Sequence, residues 1–234
     1  MSSKPNIRVL MWFKIKTYFQ FLWRSKNQYA IHSPFVYRLI TQCFYNKSHY
    51  PAYELWDQVQ KELLNSDEVL EVNDIGAGSR IFKSNRRPVR QLAKHVSISR
   101  KRARLMIRLV DYLQVKNALE LGTSIGLGSL SIAASGQTPL KTIEACPATS
   151  AFAQHLFETL KLPHITSINS SFDEGLKALH PEELFDLVYI DGHHDGEATL
   201  QYFEDLLQHK HNDSVFIIDD LHWSASMEMA WISI

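Results

Sequence analysis

Cysteine is nearly absent: the 234 residues include two, Cys43 and Cys146, far apart and in no CxxC pair. That excludes a disulfide framework and a zinc knuckle, and it suits a reducing cytoplasm. A surplus of either charge is also missing. Lys and Arg total 25, as do Asp and Glu, so nothing in the overall balance would draw the chain to nucleic acid. Long apolar runs are lacking too. The richest stretch, Val9–Trp23 (VLMWFKIKTYFQFLW), is interrupted by Lys14, Lys16 and Gln20, which makes it too short and too polar to span a bilayer. It has no small-residue cleavage site and so does not read as a signal peptide. An amphipathic helix is what remains, either packed on the protein's own body or offered to a membrane surface or partner. There is no internal repeat and no low-complexity segment.

What is present is length and apolar content, 45% of residues, sufficient for one main α/β domain with an appendage. Residues 1–96 read as a helical N-terminal extension ending in a Gly/basic loop. Helices are expected over the apolar run, over Pro34–Tyr45, and over Ala52–Leu64 with Leu55, Val59 and Leu63 on one face; Tyr29, His32 and Pro34 mark the intervening turn. The segment Val72–Arg90 is polar and punctuated by Gly76, Gly78 and Pro88, which predicts a loop. Its DIGAGS (Asp74–Ser79) looks superficially like a nucleotide-binding turn. A genuine turn of that kind would be followed by a helix and a strand ending in an acid; Arg80, Lys83, Arg86, Arg87 and Arg90 follow instead and favour a structural loop closing over a site.

From residue 97 onward the pattern changes. A helix over Ser97–Leu113 is followed by short apolar runs at Asn117–Leu121, Leu140–Glu144, Ile165–Asn169, Leu184–Asp191 and Ser214–Asp219. Between and after them lie helical stretches at Leu127–Ser135, Ala148–Leu160, Glu174–Leu179, Ala198–His209 and from Ala225. Strands alternating with helices of this length predict a doubly wound, mostly parallel sheet over residues 97–234. Such sheets bind ligands at the carboxyl ends of their strands.

The chemistry-bearing residues fall at those ends. After the first strand comes ALELGTSIGLGSLSIA (118–133), where Gly122 permits a tight turn and Gly126 and Gly128 let a helix begin close to the strand. The second strand ends in Glu144, 22 residues after Gly122, where an acceptor-only carboxylate could take both hydroxyl hydrogens of a ribose. Ser171 and Phe172 follow the third strand and could flank a planar base, although Ser171 or Asp173 could equally be a plain helix N-cap. The fourth and fifth strands end in IDGHHDGE and IIDDLHW. Asp191, Asp219 and Asp220 thus converge, with His193, His194 and His222 nearby. Three neighbouring carboxylates repel unless neutralised, and an oxygen-rich site suits Mg²⁺; capping of loop amides would also satisfy some of them.

Taken in order, Glu120–Gly128, Glu144, the Asp191 strand end and the Asp219–Asp220 pair resemble the motifs of class I S-adenosylmethionine-dependent methyltransferases, above all the catechol and caffeoyl-CoA O-methyltransferase branch. The resemblance spans about Arg104–Trp231, and YAIHSPFVYRL (Tyr29–Leu39) with DIGAGSR resembles an uncharacterised bacterial group of such enzymes. It implies a Rossmann-like fold and S-adenosyl-L-methionine as cofactor, with Mg²⁺ as a further candidate. Glu120, Gly122, Thr123 and Gly126 would then form the turn facing the methionine portion, Glu144 with Ala145 would hold the ribose, and Ser171 and Phe172 would lie beside adenine. Asp191, Asp219 and Asp220 match metal positions, and His194 stands where the metal-dependent enzymes carry the lysine that helps deprotonate the acceptor. The resemblance further implies a cytoplasmic enzyme with a small-molecule methyl acceptor; a homodimer and a peripheral membrane contact through the N-terminal helix are compatible with it. Seven strands are usual in the family, so for a sequence ending at Ile234 the expectation is either that the last two are missing and leave an open sheet edge or that something else covers that edge. Two rivals stay open: an NAD-linked oxidoreductase, which also uses a glycine turn and a ribose acid, and a noncatalytic module that keeps the cofactor fold.

Overall fold

A computed structural model of the chain describes residues 18–19, 23, 31–73, 84–134, 136 and 138–234. Tyr29, the DIGAGSR turn and, save for Tyr18, Phe19 and Trp23, the Val9–Trp23 helix lie outside the described residues. The chain divides into two units, Met1–Tyr45 and Asn46–Ile234. In the first, α1 (Pro34–Arg38) starts at Ser33, whose hydroxyl accepts from the Val36 amide at 3.3 Å, and it runs on as a π-helix over Leu39–Phe44. The expected helix is therefore present, with its second half wound more loosely. Among the described residues no helix is long and apolar enough to cross a membrane.

The second unit begins with α2 (Pro51–Leu64), whose Ala52, Tyr53, Trp56, Val59 and Leu63 form the buried face. Proline opens this helix at a position where no intrahelical donor is needed. Next come β1 (Val69–Glu71) and β2 (Arg86–Pro88), an antiparallel pair in which Leu70 faces Arg87. Helix α3 (Val89–His95) follows directly, with Pro88 as its N-cap. β2 and the start of α3 correct the loop expected over Val72–Arg90 at its last five residues, Arg86–Arg90. Strands of three residues are too short to show alternation, and the proline that reads as a turn ends one element and opens the next.

Helix α4 (Arg100–Leu113) is capped by the Ser99 hydroxyl and buries Ala103, Met106, Ile107, Leu109 and Val110. Five parallel strands then alternate with helices: β3 (Ala118–Leu121), α5 (Leu127–Ala133), β4 (Leu140–Glu144), α6 (Pro147–Thr159), β5 (Ile165–Asn169), α7 (Phe172–Lys177), β6 (Phe185–Ile190), α8 (Gly196–Leu206), β7 (Lys210–Ile218) and α9 (Ala225–Ser233). Their order in the sheet is β5-β4-β3-β6-β7, so the chain starts at the centre, winds to one side, and crosses back to wind to the other. That is the doubly wound, Rossmann-like arrangement, and its order reverses between β3 and β6. Each strand lies within a residue or two of its expected place except β7, which begins at Lys210 rather than Ser214.

Both faces of the sheet are covered. Leu119, Leu121, Ile143, Val188 and Ile190 pack with Leu176, Tyr202 and Leu206 on one side. Ala118, Leu140, Leu187 and Tyr189 meet Met106, Val110 and Ile132 on the other. A third cluster joins α2 and α3 to Ile125, Leu127 and Leu130 around Trp56, which is 0% exposed and donates its indole N–H to the Leu127 carbonyl at 3.0 Å. Trp56 thereby fixes the helical layer against the start of α5, beside the β3 turn. Replacing Trp56 with Ala is expected to lower the unfolding free energy by about 3–5 kcal/mol in urea denaturation, the range for emptying a large aromatic site. A loss under about 1 kcal/mol would show that this layer is not packed as described.

Candidate active site

The turn after β3 is set by a backbone that only glycine tolerates. Gly122 has φ of 107°, and a Cβ there would lie 2.2 Å from the Asp191 carbonyl oxygen. The tips of β3 and β6 therefore touch backbone to backbone, with the Asp191 amide donating to the Leu121 carbonyl at 2.9 Å. Ser124, also at positive φ (49°), turns its amide back towards the sheet and donates to Glu144 Oε2 at 2.7 Å.

Glu144 is thus held from both sides. Its Oε1 accepts from the Cys146 amide at 2.9 Å, and the Thr149 hydroxyl and Ala145 amide add further stabilisation. Burial outweighs these bonds and pushes the Glu144 carboxyl above the ordinary carboxylate range. Each carboxylate oxygen keeps lone-pair capacity for another donor.

A cavity of about 210 Å³ opens over these strand tips. Gly122, Ser124, Glu144, Ala145, Cys146 and Asp191 form its floor; Ser171, Phe172, Gly192, His193 and Tyr202 form one wall. Gly192 again needs to be bare, because a Cβ would meet the Phe172 ring at 2.7 Å. His193 takes φ of 67°, and its Nδ1 lies 2.8 Å from the Tyr202 hydroxyl. Phe172 meets both rings edge-on, with centroids 6.5 Å from His193 and 5.5 Å from Tyr202. The opposite wall comes from Val72, Asn73, Arg87, Leu92 and Val96, around the β1–β2 pair and α3.

Of the residues singled out from the sequence, Gly122, Glu144, Ala145, Ser171, Phe172 and Asp191 come together around this cavity. Ser171 also caps α7, its hydroxyl accepting from the Glu174 amide at 3.2 Å. Others sit elsewhere. Glu120 is 0% exposed beneath the turn, where its Oε2 accepts from Thr142 at 2.6 Å and from Ser129, while Oε1 has no hydrogen-bond partner among the described residues. Thr123 is buried, its hydroxyl 2.5 Å from that of Thr142. Gly126 caps α5 at φ of 87° and packs on the Phe157 ring. His194 lies off the cavity wall, its ring 5.2 Å from Trp223 and its Nε2 3.9 Å from Asp220. The sequence reading missed His193 as a cavity residue, together with Tyr202, Cys146, Thr149 and the β1–β2 wall.

The three aspartates are not arranged around a common ion. Asp219 accepts Arg102 Nη1 on both oxygens at 2.9 Å, and Tyr189 donates its hydroxyl to Asp191 at 2.8 Å and to Asp219 at 3.3 Å. Among the described residues no three His, Cys, Asp or Glu side chains form a metal-holding group. As arranged, this donor set does not fit Mg²⁺: a side-chain cation already occupies Asp219.

The features that suit a nucleoside are different and do fit. An acid at the β4 tip, a bare glycine turn beside it and an aromatic wall match the ribose, the close backbone approach and the base of S-adenosylmethionine.

A family model described as a methyltransferase domain matches residues 119–221. No curated protein matches the chain in sequence. Among solved structures, the chain is similar to an O-methyltransferase from Bacillus cereus in complex with SAH, at 18% identity and a TM-score of 0.56, covering 85% of this chain and 84% of that one. It is similar too to the SAH-bound methyltransferase PaMTH1 of Podospora anserina (17% identity, 82% and 72% covered, TM-score 0.54). A third neighbour is a putative caffeoyl-CoA O-methyltransferase from Staphylococcus aureus (22% identity, 58% and 65% covered, TM-score 0.51). The matched domain is a methyltransferase domain and not an NAD-linked one.

Buried acids beside this cavity predict a pH effect. Burial is the main cause that raises Glu120 from 4.5 to about 7 and Asp191 from 3.8 to about 8. Between the ordinary and raised values the native state keeps protons that the unfolded chain has released, so stability falls as pH rises through that window and then levels off. Glu120→Gln removes one of these ionisations. Its unfolding free energy, measured by denaturant titration, is expected to fall less than the parent's between about pH 5 and 8; parallel curves would contradict the assignment.

Proposed function

We propose that this chain is a class I S-adenosylmethionine-dependent methyltransferase whose acceptor is a hydroxyl group of a small molecule, a reading that the methyltransferase-domain match over residues 119–221 supports. The observation that carries the cofactor part is the Glu144 carboxylate at the β4 tip, beside the bare Gly122 turn and facing the wall of Phe172 and His193. When bound, S-adenosylmethionine supplies an electrophilic methyl group on a sulfonium centre.

The chain's own residues do the rest. Glu144 accepts from the ribose hydroxyls, Ala145 and Phe172 enclose the base, and the acids Glu144 and Asp191 favour a positively charged guest in a site of low polarity. The cavity walls hold the acceptor in line with the methyl group, and such positioning is where most of the rate enhancement of this kind of transfer originates. The acceptor hydroxyl must lose a proton. Of the paired histidines, His193 is the one on the cavity wall, and we assign it the role that the sequence pattern gave to His194. In the tautomer whose Nδ1–H donates to the Tyr202 oxygen, 2.8 Å away, Nε2 of His193 carries the lone pair that accepts the proton. Burial pushes the Tyr202 hydroxyl up to about 12, so it remains un-ionised as that partner. No step here is routed through a metal ion.

A small cavity and a balanced net charge support a small-molecule acceptor rather than a polyanion. The structural neighbour from Bacillus cereus, itself an O-methyltransferase, supports oxygen as the atom methylated. A content of two cysteines, far apart and in no CxxC pair, accords with a cytoplasmic setting.

Two measurements test the proposal. Glu144→Gln should weaken S-adenosylhomocysteine binding by roughly a hundredfold in calorimetry, as expected for losing charge-assisted bonds to a ribose. With phenolic and enolic acceptors, His193→Ala should lower kcat by roughly a hundredfold or more while leaving cofactor affinity unchanged, and His194→Ala should change kcat little. Unaltered cofactor binding in the Glu144 variant would contradict the site, and a silent His193 variant would contradict the base.

A further inference from the structure

Asp191, Asp219 and Asp220 bring three carboxyl groups together at the carboxyl ends of β6 and β7, and acids so close repel unless protonated or paired with a cation. The structure provides one from the chain itself. Arg102, in the first turn of α4, sets Nη1 2.9 Å from both oxygens of Asp219. The Tyr189 hydroxyl, 2.8 Å from Asp191 Oδ2 and 3.3 Å from Asp219 Oδ2, ties the two acids together. We infer that Arg102 is the resident counter-cation of this cluster, taking the place of a divalent ion, so that cofactor binding by this chain is independent of divalent metal.

The local sequence supports this. The first turn of α4 carries Arg100, Lys101 and Arg102 and no acidic residue. Positive charge at a helix N-terminus opposes the helix dipole. It is tolerated here where the arginines face acids: Arg100 holds Asp57 through bonds of 2.6 and 2.5 Å, and Arg102 holds Asp219. A guanidinium stays charged at any working pH, and its N–H groups match a carboxylate, so neutralisation of Asp219 does not depend on ion supply.

Asp219 is also fully engaged. Besides Arg102 and Tyr189, its Oδ1 accepts the Asp220 amide at 2.7 Å, so an ion could bind only by displacing Arg102. Arg102 touches no reacting atom. It is a positioning residue: by neutralising Asp219 it lets that acid and Asp191 share the Tyr189 hydroxyl without driving the Asp191 carboxyl out of the cavity floor.

This inference deepens the proposed function and rests on it, and a two-part experiment keeps the two apart. Calorimetry of the full chain with S-adenosylhomocysteine, with and without EDTA, establishes the cofactor site by itself. Mn²⁺ binding to the same complex is then read from the electron paramagnetic resonance signal of free Mn²⁺. The wild-type complex should bind no Mn²⁺ below millimolar concentrations, and EDTA should leave cofactor affinity unchanged. Arg102→Met removes the charge while keeping the length, and should tighten Mn²⁺ binding by roughly tenfold or more, whereas Arg102→Lys should remain metal-blind. Micromolar Mn²⁺ binding by the wild type, or no gain in Arg102→Met, overturns the inference. If Arg102→Met does not fold, the wild-type result decides alone.

Discussion

The site depends on one steric constraint: the tips of β3 and β6 meet with no room for a side chain between them. Gly122 lies against the Asp191 carbonyl, and the Leu121 carbonyl takes the Asp191 amide at 2.9 Å. From that contact the remaining geometry follows. Because the turn folds tightly there, the Ser124 amide is aimed at Glu144, and Glu144 in turn fixes the Cys146 amide at the start of α6. One carboxylate therefore joins two turns from adjacent strands. A larger side chain at residue 122 would separate the strand tips and release the acid together with the loop it organises.

Burying acids at such a junction carries an electrostatic cost, and the structure distributes it over several partners. Glu120 is lodged under the turn with Ser129 and Thr142, Asp191 has Tyr189, and Asp219 has Arg102. Only one of these partners is a cation. Two of the acids are consequently pushed towards neutrality, Glu120 to about 7 and Asp191 to about 8. A cleft with this character attracts a cationic guest while remaining tolerable when empty, since the acids can hold protons until a positive charge arrives.

Much of the fold was legible in the sequence because buried parallel strands and amphipathic helices leave strong periodic signals. β4 and β5 fall on the residues expected, and the glycine turn and Glu144 lie where a strand-end reading places them. The β1–β2 pair was not legible, since strands of three residues carry no alternation and Pro88 looks like a loop residue. At the site, sequence spacing finds which residues sit at strand ends but not which way each one turns. Glu120 and Thr123 share the glycine motif yet point beneath it, and His193 rather than His194 reaches the cavity because both residues adopt positive φ, 67° and 47°. The acidic trio suggested an ion because its neutralising partner, Arg102, lies 117 residues away and only the fold brings it near. The basic first turn of α4 was the one local sign that acids must face it.

The central claim is that a nucleoside rests on the β3, β4 and β6 tips with its ribose on Glu144. A crystal structure of the chain grown with S-adenosylhomocysteine tests this most directly. The account predicts both ribose hydroxyls within hydrogen-bonding distance of the Glu144 carboxylate and the base against Phe172. A nucleoside bound elsewhere, or a ribose that makes no contact with Glu144, would contradict it.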